Sequence, residues 1–196
     1  MCDAHAGSSL ASWVSQVGNG GWHMAPLYVG LQAPCTSAQQ VSVIDQRYAG
    51  WQGAISGEDA VNQAQALGLG PGTPIYFDME AYNNRDAACV DVVRQFVSYY
   101  VNQLHSHGYV AGYYSSSASG IRDEANIVGN PGYQHPDAIW FANWDNRGSV
   151  FGDPFFPDGL WSNHQRLHQY LGGHNESWGG VVLNIDSSLD DGPLAA

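Results

Sequence analysis

Short apolar runs alternate with polar stretches long enough to hold a helix, and this rhythm constrains the fold more than any other feature of the chain. Residues 23–29 (HMAPLYV), 74–77 (PIYF), 109–115 (YVAGYYS) and 138–143 (AIWFAN) read as strands without the in–out alternation of a half-exposed sheet. Residues 166–171 (RLHQYL) and 181–186 (VVLNID) add two more, for six in all. Between them, Ser56 is placed to cap a helix that Gly68 closes, with Asp59 three residues into it. Val90, Val93, Val97, Tyr100, Val101 and Leu104 share one face of a second helix that Gly108 stops. A short polar helix is expected near residues 119–127, and a loop rich in Gly and Pro follows from Arg147 to Gly159.

Strands apolar along their length and joined by helical crossovers form a parallel sheet covered by helices, either open or closed into a barrel. The strand ends separate these two. Tyr28, Asp78 and Glu80, Tyr114, Asn143 to Asp145, Gln169 and Tyr170, and Asp186 all fall at or near carboxyl ends. In a (β/α)₈ barrel those ends converge on one rim, whereas an open sheet brings only its central ends together. The expected fold is therefore an α/β barrel of the TIM type, one domain over residues 1–196, with about six strands where eight are needed.

Composition excludes several functions. Net charge is −12, and the six basic residues are all arginine, so nothing neutralises a nucleic-acid backbone or an anionic membrane surface. The longest apolar runs, such as 138–142, are far too short to span a bilayer. Met1 is followed directly by Cys2 and Asp3, so no signal peptide is read at the start. Cys2, Cys35 and Cys89 form no CxxC spacing. Either all three are buried thiols, or two pair and one is left over.

The stretch PIYFDMEAY (74–82) carries the chemistry. Residues i and i+2 of a strand point the same way, about 6.6 Å apart along the chain, so Asp78 and Glu80 face one space with Tyr76 below them. Two neighbouring acids perturb each other, which lets one stay ionised while the other holds a proton. Cleavage of a glycosidic bond uses such a pair. A Mg²⁺ or Ca²⁺ site and a purely structural pair use the same residues, and residue types alone do not choose among the three. Trp140, Trp144 and Trp178, with the tyrosines, supply flat faces that suit sugar rings, although any single one also suits ordinary packing.

Other motifs carry less. His164 and His168 in HQRLH lack the glutamate of a zinc-protease helix. Ser115 to Ser119 lack a nucleophile elbow, and Gly68, Gly70 and Gly72 precede a strand instead of opening a phosphate-binding helix. No metal and no cofactor is expected.

With YVGLQAPC (28–35) before PIYFDMEAY, and IWFANWD (139–145), HQYLGG (168–173) and LNIDSSLD (183–190) after it, the chain resembles a bacterial glycoside-hydrolase-like domain, domain of unknown function 1906. That group is related to the glycoside hydrolase family 25 lysozymes, (β/α) barrels that act on peptidoglycan. The resemblance covers essentially all 196 residues. It implies a hydrolase of cell-wall polysaccharide, extracellular or wall-associated, with Glu80 as general acid/base. Asp78 would orient or stabilise the positive centre formed on the sugar, in a substrate-assisted scheme where an N-acetyl group is the nucleophile. Tyr28, Tyr76, Tyr82, Tyr114, Asn143, Trp144, Asp145, Gln169, Tyr170 and Asp186 are the expected substrate contacts.

The resemblance departs at the front. Family members begin with a G-F-D strand and a second strand that this chain lacks, which accounts for six strands and an odd cysteine. The two uncovered edges, near Met24 and at the strand of Asp186, are expected to meet in a smaller distorted closure or to recruit another chain. A catalytically silent carbohydrate-binding module on the same scaffold is the competing expectation.

Overall fold

The computed structural model describes residues 9–195, so the expectations resting on Met1, Cys2 and Asp3 lie outside the described residues. One sheet of six strands runs in sequence order: β1 (Leu27–Val29), β2 (Pro74–Met79), β3 (Val110–Ser116), β4 (Ala138–Ala142), β5 (Arg166–Trp178) and β6 (Val181–Asp191). The first five are parallel, and the sheet curls into a half-barrel consistent with an incomplete TIM barrel.

Two layers form because β2 is buried on both faces. The outward-facing Ile75, Phe77, Met79, Ala111, Tyr113, Ile139 and Phe141 make the main core with α2 (Ala49–Ala66) and α3 (Ala87–Ser106). The inward-facing Tyr76, Ala138 and Leu167 make a second, smaller core with Ala25, Trp140 and Leu194. Gly112 admits the Tyr76 ring into this inner core, since a Cβ there would lie 2.4 Å from it.

α3 is the helix expected from its apolar face. Asp86 caps it through bonds from the N–H groups of Ala88 and Cys89, and Gly108 leaves it at φ +76°. α2 differs from expectation. It starts at Ala49, about two turns early, and Ser56 is buried in its middle instead of capping it. Gly53 and Gly57 form the contact seam with α3: a Cβ on Gly53 would lie 2.2 Å from the Phe96 carbonyl oxygen, and one on Gly57 would lie 2.7 Å from Gln103. Beyond β3, a turn of π-helix (Ser117–Ile121) leads into α4 (Arg122–Ala125), the expected short helix. α1 (Leu10–Asn19) is capped by Ser9.

The last strand corrects the all-parallel expectation. β6 runs antiparallel to β5. Only Gly179 and Gly180 connect them, both at positive φ, and a parallel crossover needs a dozen residues or more. Both strands are also about twice as long as expected, and Asp186 lies in the middle of β6 instead of at its end.

The two edges of the sheet meet at one point. Ala195 and Met24 exchange backbone hydrogen bonds of 2.9 and 2.7 Å, and the Tyr76 hydroxyl donates to the Pro193 carbonyl at 3.0 Å. The tail thus closes the floor of the half-barrel on the side of the strand amino ends. A disulfide between Cys35 and Cys89, with Cα atoms 6.0 Å apart, ties the loop after β1 to the first turn of α3.

Candidate active site

The inner face ends in a cleft at the carboxyl ends of β2, β3 and β4. In the parallel register Asp78 stands beside Tyr114, and Tyr114 beside Trp140, so these side chains share the inner face. Asp78 is buried, with 8 % of its surface exposed, and its Oδ1 has no hydrogen-bond partner among protein atoms. Burial, followed by the nearby Glu80 charge, pushes its carboxyl up to about 6. Glu80, just past the strand, is exposed.

Gln32 holds this segment in place. Its side-chain Nε2 donates to the Asp78 carbonyl at 2.8 Å, and its Oε1 accepts from the Glu80 N–H at 2.8 Å. The amide therefore stands in for a neighbouring strand exactly one residue wide at the point where β1 has already ended. The loop that carries Gln32 is itself fixed by a bridge to Val43, by the Thr36–Tyr82 bridge and by the disulfide. Nothing in the spacing of the sequence marks Gln32, because its partners lie 46 and 48 residues away.

Glu80 lines two grooves. One, of about 350 Å³, runs over Tyr114, Ser117, Asn143, Trp144 and Phe155; the other, of about 620 Å³, runs past Gly30, Gln32, Val41 and Asp78. The Tyr114 phenol is pushed up by burial and then by the charges of Glu80, Asp78 and Asp186.

Gln169 is the opposite anchor. Its Oε1 accepts from the Tyr114 hydroxyl and from Trp144 Nε1, both at 3.0 Å, and its Nε2 donates to Asp186 Oδ2 at 3.0 Å. Asp186 Oδ1 in turn accepts from the Gly173 N–H. Trp144 lies against Gly172, where a Cβ would come within 2.3 Å of the indole, yet 63 % of it stays exposed. Asn143 lines the smaller groove and donates to Asp153.

Of the expected residues, the structure brings Asp78, Glu80, Tyr114, Asn143, Trp144, Gln169 and Asp186 together, and four others lie elsewhere. Tyr76 faces inward but is fully buried beneath the cleft floor. Tyr82 points to the helix side and donates to Asp123 at 2.8 Å, because the chain turns away after Glu80. Tyr170 shares the outward face of His168, its ring 6.2 Å away. Asp145 accepts from the Arg147 N–H in a turn and stands 3.9 Å from His168. Tyr28 is divided between the two sides. It borders the larger groove, but its ring packs on Phe77 and Tyr100 and its hydroxyl donates to Asp59. Among the described residues no group of three His, Cys, Asp or Glu side chains is placed to hold a metal ion.

A curled parallel sheet with carboxyl and aromatic side chains gathered at its carboxyl rim defines a barrel-type domain of the α/β class, with its cleft where such barrels keep their active sites. The chain belongs to the Rv2525c-like, glycoside hydrolase-like domain family, whose pattern matches residues 4–189. A solved structure, the 1.07 Å crystal structure of an uncharacterized B. stearothermophilus protein, is similar. It is 18 % identical at a TM-score of 0.60, over 92 % of this chain and 75 % of that one, and the likeness is one of fold. No curated protein matches the chain.

Proposed function

We propose that the domain hydrolyses a bacterial cell-wall polysaccharide of the peptidoglycan type, with Glu80 as general acid/base and Asp78 as its partner. The observation that carries this reading is the position of Glu80, exposed where two grooves meet and directly above a buried carboxyl raised to about 6. A polymer lying across both grooves presents one linkage to Glu80. Glu80 gives its proton to the leaving oxygen as that bond breaks, and Asp78 stabilises the positive charge that develops on the sugar. The substrate's own N-acetyl oxygen closes on the anomeric carbon, and Glu80 then takes a proton from the water that opens the ring. Trp144 offers a stacking face for a neighbouring sugar.

The Cys35–Cys89 disulfide supports a workplace outside the reducing cytoplasm, at the cell surface or wall. No helix of the described residues is long and apolar enough to cross a membrane.

The test is release of reducing ends from a panel of peptidoglycans and related glycans. Wild type is expected to release product, and Glu80→Gln to lose about 100-fold or more of that rate with an unchanged melting curve. Equal hydrolysis by the two proteins overturns the assignment. Among the described residues the sheet's edges are bridged only by Met24 and Ala195, and this openness favours a second reading, a silent carbohydrate-binding module. Saturable glycan binding by calorimetry with no product on long incubation selects it.

A further inference from the structure

Only six side chains in this chain are cationic against eighteen acids, and three of the six line one cavity. Arg85 precedes α3, Arg94 lies within it, and Arg122 opens α4; together they border a concave, polar space of about 490 Å³. Two of the other three are otherwise engaged. Arg47 is paired with Asp45 at 2.7 Å, and Arg166 is sealed among the carbonyls of Val150, Pro157, Asp158 and Leu160.

In a chain this acidic, an unpaired guanidinium is unexpected. Yet the exposed guanidinium groups of Arg85 and Arg122 make no side-chain hydrogen bond and no close ion pair among the described residues, Arg122 meeting the Asp123 charge only at longer range. The buried Nε of Arg94 also lacks an acceptor, although its Nη2 donates to the Asp123 carbonyl at 3.2 Å. A buried donor without a partner is costly, and an arriving acceptor removes that cost. The two acids of the cavity offset part of the cluster's charge, Asp123 acting on Arg94 and Arg122 and Asp91 on Arg94, but two carboxylates leave three guanidinium groups with a net positive charge. Asp123 is engaged by Tyr82 and Asn84, and Asp91 reaches Arg94 only at 3.7 Å. The helix end supplies nothing, because Asp86 already occupies the N–H groups of Ala88 and Cys89. What remains is a set of planar forks converging on one space, the arrangement that grips phosphate or carboxylate in bidentate fashion.

We propose that this cavity is an oxyanion-binding site, taking a phosphoryl or carboxylate group carried by a polymer. Its place next to the Glu80 cleft supports a polymeric source. Asn84 borders the cavity and donates at 2.9 Å to the carbonyl of Ala118, which lines the smaller groove. A single side-chain contact thus separates the Glu80 cleft from a cationic socket. Net charge conceals this socket: the acidic surface repels a uniformly charged polyanion, whereas a single anionic group is drawn to this cationic concavity.

The test is calorimetric titration of the full chain at low ionic strength with inorganic phosphate and, separately, with methyl galacturonoside, a sugar bearing a single carboxylate. Saturable binding of either is expected, weakened by added salt and weakened about tenfold or more in the double variant Arg85→Gln/Arg122→Gln. Both side chains are exposed and make no close ion pair, so the double variant should melt as wild type does. Tighter phosphate binding identifies a phosphoryl source, and tighter uronate binding a carboxylate source. No saturable heat with either probe, or equal affinity in the double variant, overturns the proposal. Glu80→Gln is expected to bind phosphate as wild type does, so a failed hydrolysis assay and a failed oxyanion site are read separately.

Discussion

The parallel half of the sheet and its antiparallel arm are built by opposite rules. In β2 every residue is buried, because the inner core covers one face and α2 and α3 cover the other. β5 is buried only from Arg166 to Gln169, and beyond that it and β6 run largely in solvent, with Trp178, Val181, Val182 and Leu183 exposed. The cleft sits at the join. Asp78 and Glu80 come from the packed half, Asp186 comes from the arm, and Gln169 is the last buried residue of β5 and links the two. The packed half supplies rigidity where a carboxyl must be held out of water. The arm supplies reach and polar groups on the open side of the cleft.

The largest effect that would break this contrast lies in the helix layer. Phe96→Ala removes a fully buried ring packed on Phe77 and is expected to cost about 3–5 kcal/mol in chemical denaturation. A loss under 1 kcal/mol would mean the main core is not what holds the sheet.

Asp78 sharpens the contrast with opposite sign. Its folded-state carboxyl is raised to about 6 from an ordinary 3.8, so the folded protein binds that proton more tightly than the unfolded chain. The proton's contribution is complete below pH ~4 and is lost as pH rises through ~6. Asp78→Asn is therefore expected to stabilise the domain by about 1–2 kcal/mol at pH 7 and to be near neutral at pH 4, read from melting curves at the two values. Equal effects at both pH values would contradict the burial described here.

The smallest effect belongs to the arm. Val182→Thr keeps the branched shape on a residue 65 % exposed and should change stability by less than about 0.5 kcal/mol. A larger loss would show that the arm is covered in solution.

How far these features could be read in the sequence follows the same division. β2, β3, β4 and α3 announce themselves because burial on both faces, or along one clear stripe, writes an apolar pattern. α2 hides its start because close packing on α3 demands Gly53 and Gly57, residues that otherwise signal loops. The hairpin was open to reading in Trp178-Gly179-Gly180, but the polar run from His174 to Ser177 masks the strand around it. Asp78 and Glu80 could be paired from spacing alone, since alternation along one strand is local. Tyr82 and Tyr170 could not be placed, because their directions depend on a turn after Glu80 and on the phase of β5. Gln32 is a long-range contact, and only the folded chain shows it.

The account stands on a buried Asp78 carboxyl and an exposed Glu80 carboxyl acting on one another at one cleft. Its most direct test is a carboxyl-carbon NMR titration of Asp78 in wild type and in Glu80→Gln. The expected midpoint in wild type is about 6, moving down toward the ordinary carboxylate range when the Glu80 charge is removed. An Asp78 that titrates near 4 in both proteins, or whose midpoint ignores the substitution, would contradict it.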